Sequence, residues 1–193
     1  MATEEKKYNI LVASGDDKLR DFLAQILPAR EYEIHPTVKS AGEARRRFIS
    51  NAYSILVINT PLPDETGVEL AEDLSERPVG ILVLSDIQSF DHVCHRLEEF
   101  GVLTVPKPLG RQQAYTYIKL LTAFANRISK MEKANRTLQE KVMDLRVIDR
   151  AKWILIRNEG LSEEDAHRRI EQTAMENRES RRMAAEDIIR KYE

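Results

Sequence analysis

The chain has 193 residues, of which 42% are hydrophobic and 32% are charged. This length fits one medium-sized domain with a smaller appendage, and it excludes a barrel of about 250 residues. A mean hydropathy of −0.46, with no apolar run near the roughly 18 residues that span a bilayer, argues against a membrane protein. The opening residues lack the apolar core of a secretory signal, and the single cysteine, Cys94, cannot form an internal disulfide. We therefore expect a cytoplasmic protein without a membrane partner.

The net charge of −2 excludes a uniformly basic nucleic-acid binder, but it leaves room for a local basic patch. Residues 1 to 125 hold 14 Lys and Arg against 18 Asp and Glu, a net charge of −4. Residues 126 to 193 hold 16 against 14, a net charge of +2. A polyanion would therefore dock more easily on the second part of the chain, although this mild contrast needs a motif to support it.

Short apolar runs alternate with segments of helical spacing between residues 8 and 125, which is typical of a parallel sheet covered by helices. Five runs predict five strands, at residues 8–13, 32–35, 54–58, 80–84 and 102–105. The predicted fold class is therefore α/β, with a five-stranded parallel sheet.

Polar residues follow these runs at the carboxyl ends of the strands, where parallel sheets bind their ligands. They are Ser14-Gly15-Asp16-Asp17 after the first run, residues 59–67 after the third, Ser85-Asp86 after the fourth and Pro106-Lys107-Pro108 after the fifth. In order and spacing, residues 59–67 and the Lys107-Pro108 pair resemble the receiver domain of bacterial response regulators. The resemblance covers residues 8–125 and implies a flavodoxin-like domain, which we place at residues 8–112 after an N-terminal tail of residues 1–7.

The sequence departs from that family at the residues that carry phosphotransfer. In the family, an aspartate at the end of the third strand accepts the phosphoryl group, and an acidic pair after the first strand holds magnesium. Here those positions are Asn59, Ser14 and Gly15. An amide is a poor nucleophile, and without carboxylates a divalent cation loses most of its ligands. Thr104 also stands where an aromatic switch residue is usual, so we predict a pseudo-receiver that is not phosphorylated.

Six residues form the predicted degenerate pocket: Ser14, Gly15, Asp16, Asn59, Ser85 and Lys107. One interpretation is an inherited scaffold, in which Ser85 caps a turn and Lys107 pairs with Asp16 or bonds to Asn59. The other is a small polar pocket for an anion or metabolite, so a protein or small-molecule partner of this domain stays open. His92 and His95 share a helix face, but two ligands make a poor zinc site, and we expect no metal and no cofactor.

From Ala114 onward the apolar period changes to seven, and no proline or glycine occurs between Gly110 and Gly160. This spacing predicts a coiled-coil helix at residues 113–145 that needs a partner helix. The predicted dimer seam consists of Leu121, Phe124, Ile128, Met131, Asn135, Leu138, Val142 and Leu145. A buried Asn135 would pair with its symmetry mate and fix the register of a parallel homodimer. The alternative is a helix whose first turns pack on the sheet domain and whose remainder is solvated.

Residues 146–193 predict a small three-helix bundle. Gly160 is a good helix terminator, and Ser162 and Ser180 can cap a second and a third helix. The stretch Ile148-Asp149-Arg150-Ala151-Lys152, followed by the turn from Gly160 to Glu164 and by Ala174-Met175, resembles the ANTAR domain. That domain is the three-helix RNA-binding module of bacterial transcription antiterminators.

The ANTAR resemblance implies that Ala151 and Lys152 are part of an RNA surface. Cations available nearby are Arg150, Arg168, Arg169, Arg178, Arg181 and Arg182. Trp153 replaces a usual glycine, and it either packs in the small core or stacks on a base.

Together these features predict a non-enzymatic RNA-binding regulator of transcription antitermination, acting as a dimer on RNA hairpins in a leader transcript. The alternative is a protein-interaction signalling adaptor whose ANTAR-like bundle does not bind RNA. Burial of the RNA-facing positions, or their pairing with acids, would favour the adaptor.

Overall fold

The computed structural model describes residues 7–192. The chain divides into two compact units, one ending at Lys130 and the other beginning at Met131. Most of the predicted N-terminal tail, residues 1–7, lies outside the described residues. None of the helices within residues 7–192 has the length and apolarity to cross a membrane.

The first unit contains a five-stranded parallel sheet in the order β2-β1-β3-β4-β5. Its strands are β1 (Tyr8–Ala13), β2 (Tyr32–Ile34), β3 (Ile55–Asn59), β4 (Gly80–Ser85) and β5 (Leu103–Pro106). The connecting helices are α1 (Lys18–Ile26), α2 (Ala41–Ser50), α3 (Val68–Ser75) and α4 (Phe90–Glu98). The predicted α/β fold class is confirmed, and the strand limits differ from the prediction by one residue or none.

Both faces of the sheet are buried, which explains why its strands read as nearly continuous apolar runs. Side chains alternate between the faces along each strand. On β1, Leu11 and Ala13 join the core beneath α2, α3 and α4. Ile10 and Val12 join the opposite core, beneath α1 and the helix that follows β5.

That following helix, α5 (Arg111–Glu159), is continuous over 49 residues. Its first turns pack on the sheet through Ala114, Ile118 and Leu121, all of which are buried. Leu121 lies so close to Gly80 that a Cβ on the glycine would stand 3.2 Å from the Leu121 Cβ. The assignment of Leu121 to the dimer seam is therefore wrong, because its side chain belongs to the core of the first unit. The boundaries at residues 112 and 145 coincide with no break in α5 and stay predictions.

The second unit is a three-helix arrangement of the last turns of α5 with α6 (Glu163–Asn177) and α7 (Arg181–Tyr192). Five of its eight buried core residues are alanines, and these small side chains allow the helices to approach closely. The core consists of Ala151, Leu155, Ala166, Ile170, Ala174, Ala184, Ala185 and Ile188. Gly160 has a φ of 68° after the end of α5, and the Ser162 Oγ accepts a hydrogen bond from the Asp165 N–H at 3.1 Å. Both residues therefore act as predicted.

Candidate nucleic-acid interface and polar pocket

The position of the family's phosphoacceptor is occupied by an amide that is already hydrogen-bonded. Asn59 ends β3, and its Nδ2 donates to the Oγ of the buried Ser14 at 3.0 Å. Asp16 turns away from this pair: its carboxylate accepts from the Lys18 N–H at 3.1 Å and lies 3.5 Å from the Lys18 ammonium. The two side chains that meet at the end of β3, Asn59 and Ser14, are therefore both neutral.

The scaffold interpretation expected Lys107 to pair with Asp16 or to bond to Asn59. In the structure its ammonium contacts neither residue. Its ammonium donates to the Thr60 carbonyl and lies 3.2 Å from an Asp86 carboxylate oxygen. Ser85 is buried, and its Oγ is 2.9 Å from the Ser89 Oγ. The predicted pocket residues therefore form two separately hydrogen-bonded groups at one end of the sheet, one around Ser14 and Asn59 and one around Lys107 and Ser85.

A cleft of about 360 Å³ adjoins the second group, between the loops that follow β3 and β4. It is lined by Thr60, Pro61, Thr66, Val68, Asp86, Ser89, His92, Val93 and Arg96. None of the six predicted pocket residues lines this cleft, although Lys107 binds two of the residues that do. Within residues 7–192, no three His, Cys, Asp or Glu side chains are grouped so as to hold a metal ion.

Thr104 occupies the switch position with its hydroxyl buried. Its Oγ1 has no hydrogen-bond partner among the described residues. A buried hydroxyl without a partner is energetically costly, and this threonine fills the place of an aromatic ring with a much smaller side chain.

The Ala-Lys pair that carries the ANTAR resemblance is divided between the core and the surface. Ala151 is completely buried, so the expectation that its side chain forms part of an RNA surface is wrong. Lys152 has 18% of its side chain exposed and lies between two acids, 2.9 Å from Asp149 and 3.2 Å from Glu163. These carboxylates, Asp149 foremost, raise the pKa of Lys152 above its ordinary value.

Three of the six other predicted RNA-binding cations are also paired with acids of the same unit. Arg168 binds Glu164, and Arg181 lies 3.1 Å from Glu171. Arg182 binds Asp144 at 3.0 Å and Glu186 at 2.8 Å. Arg169 and Arg178 form no ion pair within the described part of the chain. The remaining candidate, Arg150, lines a cleft beside Trp153.

Trp153 is 73% exposed, so its packing in the small core is excluded. The indole stands between two clefts on the surface of the bundle. One cleft, of about 450 Å³, is lined by Asp149, Lys152, Trp153, Ile156 and Glu163. The other, of about 420 Å³, is lined by Arg150, Trp153, Ile154, Arg157, Asn158 and Tyr192. The first contains the acid-bound Lys152, whereas the lining of the second contains two arginines and no acid.

The sequence interpretation did not include Arg157, Asn158 or Tyr192. Arg157 and Asn158 follow Trp153 by four and five residues on α5, and this spacing was a signal that could have placed Arg157 beside the indole. Tyr192 comes from the end of α7, so only the tertiary structure reveals its place in the same cleft.

An apolar row on α5 has no partner within the described chain. Phe124, Ile128, Met131, Leu138, Val142 and Leu145 are between 37% and 63% exposed. Asn135 is exposed within the same row. These seven residues are the predicted seam without Leu121, and the name "seam" refers to them below.

Comparison with known proteins gives a family match for the bundle, a relative for nearly the whole chain and structural neighbours for the sheet domain. Residues 136–189 match the model of the ANTAR domain. The transcriptional regulatory protein PdtaR of Mycobacterium tuberculosis H37Rv is 23% identical over 181 residues, which cover 93% of this chain and 88% of that protein.

Solved structures resemble the sheet domain. The signal receiver domain of an HD domain-containing protein from Pseudomonas fluorescens Pf-5 has a TM-score of 0.59 at 16% identity, covering 67% of this chain and 97% of that one. A CheY-like response regulator receiver domain protein from Methanospirillum hungatei JF-1 has a TM-score of 0.52 at 20% identity, covering 67% and 99%. At these identities the likeness shows the fold alone.

Proposed function

Because the chain belongs to the ANTAR-domain response regulators, we propose that it binds RNA hairpins in a leader transcript and regulates transcription antitermination in the cytoplasm. The observation that carries this proposal is the match of residues 136–189 to the ANTAR model on a bundle with a closed core. The relative PdtaR, which spans nearly the same length, is named as a transcriptional regulatory protein. This function requires no catalytic group, and we expect no enzymatic activity.

The input to the regulator, in this proposal, is a binding event at the sheet domain rather than phosphorylation. The Asn59 amide already donates to Ser14, and the acidic-pair positions hold a hydroxyl and a glycine. The Lys107 ammonium, which would neutralise an incoming phosphoryl group, is engaged by Asp86 and by the Thr60 carbonyl. A protein or a small molecule bound at this end of the sheet would act in place of a phosphate.

The active form, in this proposal, is a parallel homodimer formed through the seam. Its apolar side chains follow the heptad spacing of a coiled coil and are exposed in the single chain. A continuous exposed apolar row of this kind usually marks an interaction surface. Asn135 lies in the same row, where a paired amide would favour one register.

Acid pairing in the bundle favours a second candidate function, the protein-interaction adaptor. Lys152, Arg168, Arg181 and Arg182 all bind carboxylates, and Ala151 is buried. An RNA phosphate would have to displace an acid at each of these cations. An adaptor would have no need of free cations, and its dimer seam and exposed Trp153 would bind protein instead.

Selection of RNA by the full-length protein distinguishes the two functions. The library consists of hairpins with one constant paired stem and a randomised loop. An RNA-binding regulator should enrich particular loops, and it should bind the enriched hairpin at least about tenfold more tightly than a duplex of the same stem without a loop. Equal binding to hairpin and duplex, or recovery of an unchanged pool, would leave the adaptor as the function. If particular loops are enriched, crosslinking in cells followed by sequencing of the bound RNA would identify the leader transcript.

A further inference from the structure

The cleft lined by Arg150, Trp153, Ile154, Arg157, Asn158 and Tyr192 combines features that the Lys152 cleft does not. It has an exposed aromatic wall and cationic side chains, and no acid lines it. It lies entirely within the second unit, on the last turns of α5 and the end of α7.

Exposure of Trp153 is not explained by the fold or by the proposed dimer. The indole leaves 73% of the residue in solvent, which is unusual for so large an apolar group. The four-and-three alternation of the seam, continued past Leu145, reaches Asp149 and Lys152 rather than Trp153. A partner helix in the seam would therefore not cover the indole.

Arg157 brings a positive charge that no described residue neutralises. It forms no ion pair within residues 7–192, whereas Arg168, Arg181 and Arg182 on the same bundle all do. The Tyr192 hydroxyl donates to Glu159, which holds the phenol ring at the edge of the cleft. Asn158 adds an amide, which both donates and accepts hydrogen bonds.

We propose that this cleft receives one unpaired nucleotide of an RNA loop, whose base stacks on Trp153 while Arg157 binds the adjoining phosphate. Asn158 faces the edge of the base and supplies hydrogen bonds to it. This inference rests on the proposed RNA-binding function, and it moves the centre of the RNA surface from the Ala151-Lys152 pair to the neighbouring face of α5.

The chemistry of an unpaired nucleotide fits the cleft better than other occupants do. A phosphate alone would satisfy Arg157 but would leave the indole in water. An apolar peptide side chain would cover the indole but would leave the Arg157 guanidinium without an anion. A nucleotide of a hairpin loop carries a flat aromatic face and an anion in one unit, and stacking of this kind contributes measurably to single-strand recognition.

The test uses the full-length chain and the hairpin enriched from the randomised-loop library, because this RNA carries the loop that the protein selects. The duplex of the same stem without a loop is the control. Trp153 is the sole tryptophan, so its fluorescence reports directly on a base placed against it. We expect the hairpin to quench this fluorescence and the loop-free duplex of the same stem to leave it unchanged.

Five variants, three in the cleft and two controls outside it, connect the signal to affinity. Trp153→Ala should weaken hairpin binding by about tenfold or more, Trp153→Phe should retain most of it because a ring remains, and Arg157→Gln should weaken it severalfold. Met175, which is also 73% exposed, provides the control Met175→Ala for loss of an exposed apolar side chain. Arg136→Gln removes the same charge as Arg157→Gln from a point several turns earlier on the same helix. Both controls should bind as the unmodified protein does, and circular dichroism should show unchanged helix content throughout.

Three possible results separate this inference from the proposed RNA-binding function. Quenching by the hairpin together with weaker binding of Trp153→Ala supports the inference. Tight hairpin binding without quenching, and with unchanged affinity of Trp153→Ala, overturns the inference and leaves the proposed RNA-binding function intact. No preference of the unmodified protein for hairpin over duplex overturns the proposed function itself, and the inference with it.

Discussion

Asn59 is the residue on which the mode of regulation depends. Its Nδ2 donates to Ser14 at 3.0 Å, so the amide presents a donor where the family presents a nucleophilic carboxylate. Ser14 is buried and neutral, and Asp16 is occupied by Lys18. The geometry at the end of β3 is therefore that of a closed hydrogen-bonded pair.

Incubation of the protein with acetyl phosphate and magnesium should leave its intact mass unchanged. The physical reason is that neither an acceptor carboxylate nor the acidic pair for the metal is present. Mass spectrometry of the full-length chain measures this directly. Addition of one phosphoryl group that disappears in the variant Asn59→Ala would contradict the proposal.

Lys152 contributes to RNA binding, in our proposal, in competition with its own acids. Glu163→Gln should therefore strengthen hairpin binding by a few fold, because it removes one carboxylate from the ammonium. Lys152→Ala should weaken binding by about 1 to 3 kcal/mol, the range of a specific contact. Filter binding with one hairpin RNA compares the two.

Glu176→Gln is the matched control for this comparison. It removes a charge from the same helix α6, where Glu176 accepts a hydrogen bond from Gln172 at 2.8 Å and binds no cation among the described residues. If Glu163→Gln and Glu176→Gln change the affinity equally, the effect is one of net charge, and Lys152 is not released to RNA.

Single residues could be assigned from the sequence only where spacing determines the environment. The helical spacing placed Ala151 and Lys152 on neighbouring positions of α5, but it did not show that Ala151 meets α6 and α7. Pairing of Arg182 with Asp144 joins residues 38 positions apart, which periodicity does not reveal. The exposure of Trp153 was equally hidden, because an indole beside Ile154 and Leu155 reads as part of an apolar face.

Helix α5 carries two different apolar rows in succession. Ala114, Ile118 and Leu121 belong to the core of the first unit, and the seam begins at Phe124, which is 48% exposed. The periods of a straight amphipathic helix and of a coiled coil differ by only about 0.1 residue per turn. Over a few turns the sequence does not separate them, which is why Leu121 was predicted in the seam.

Replacement of Leu138 and Leu145 by aspartate should convert the dimer to a monomer, since two charges would be buried opposite each other in the coiled coil. Sedimentation equilibrium measures the mass. Met143 is 56% exposed but lies outside the seam, so Met143→Asp should leave the dimer intact. An unmodified protein that is monomeric at tens of micromolar, about the range in which a short coiled coil associates, would refute the dimer.

The start of α2 depends on a carboxylate from the loop after β3. Asp64 accepts hydrogen bonds from the Ala41 N–H at 2.9 Å and the Gly42 N–H at 3.1 Å. These bonds lower the pKa of Asp64 below its ordinary value. A depressed pKa adds stability above the pKa of the unfolded chain, and this stability is lost as the pH falls through the folded value.

Asp64→Asn should therefore lower the melting temperature of the first unit at neutral pH, with a difference that shrinks as the pH falls below about 3.9. Thermal denaturation across this range measures the effect. Asp91 lies exposed in the first turn of α4, and its carboxylate makes no hydrogen bond or ion pair with a described residue. Asp91→Asn should therefore have little effect, and an equal loss in both variants would contradict the capping role.

At the scale of the whole molecule, the two units should differ in how their stability depends on protein concentration. The proposed dimerisation through the seam would stabilise the folded chain by mass action, and most of the seam lies in the second unit. Trp153, which also lies there, reports its unfolding. Its thermal midpoint should rise with protein concentration, whereas the midpoint of the sheet domain, followed by tyrosine absorbance, should stay nearly constant. A tryptophan transition that is independent of concentration would contradict the dimer.

The general architecture was readable from the sequence because three periodicities are distinct within it. Apolar strand runs, amphipathic helices and a heptad repeat each bury a different face, and the five strands appear where they were predicted. The two hydrogen-bonded groups at the end of the sheet were not readable. Whether Lys107 reaches Asp16 or Asp86 depends on loop geometry, and no pattern of residue types records it.

The acid-bound cations of the bundle also determine how salt would act on RNA recognition. When a phosphate takes Arg182 from Asp144 and Glu186, the freed carboxylates recruit sodium or potassium ions from the solution. Uptake of these ions offsets the counterions that the RNA releases. In the proposed complex, the slope of affinity against salt concentration would therefore count the unpaired arginines, such as Arg157, and not all the cations that contact the RNA.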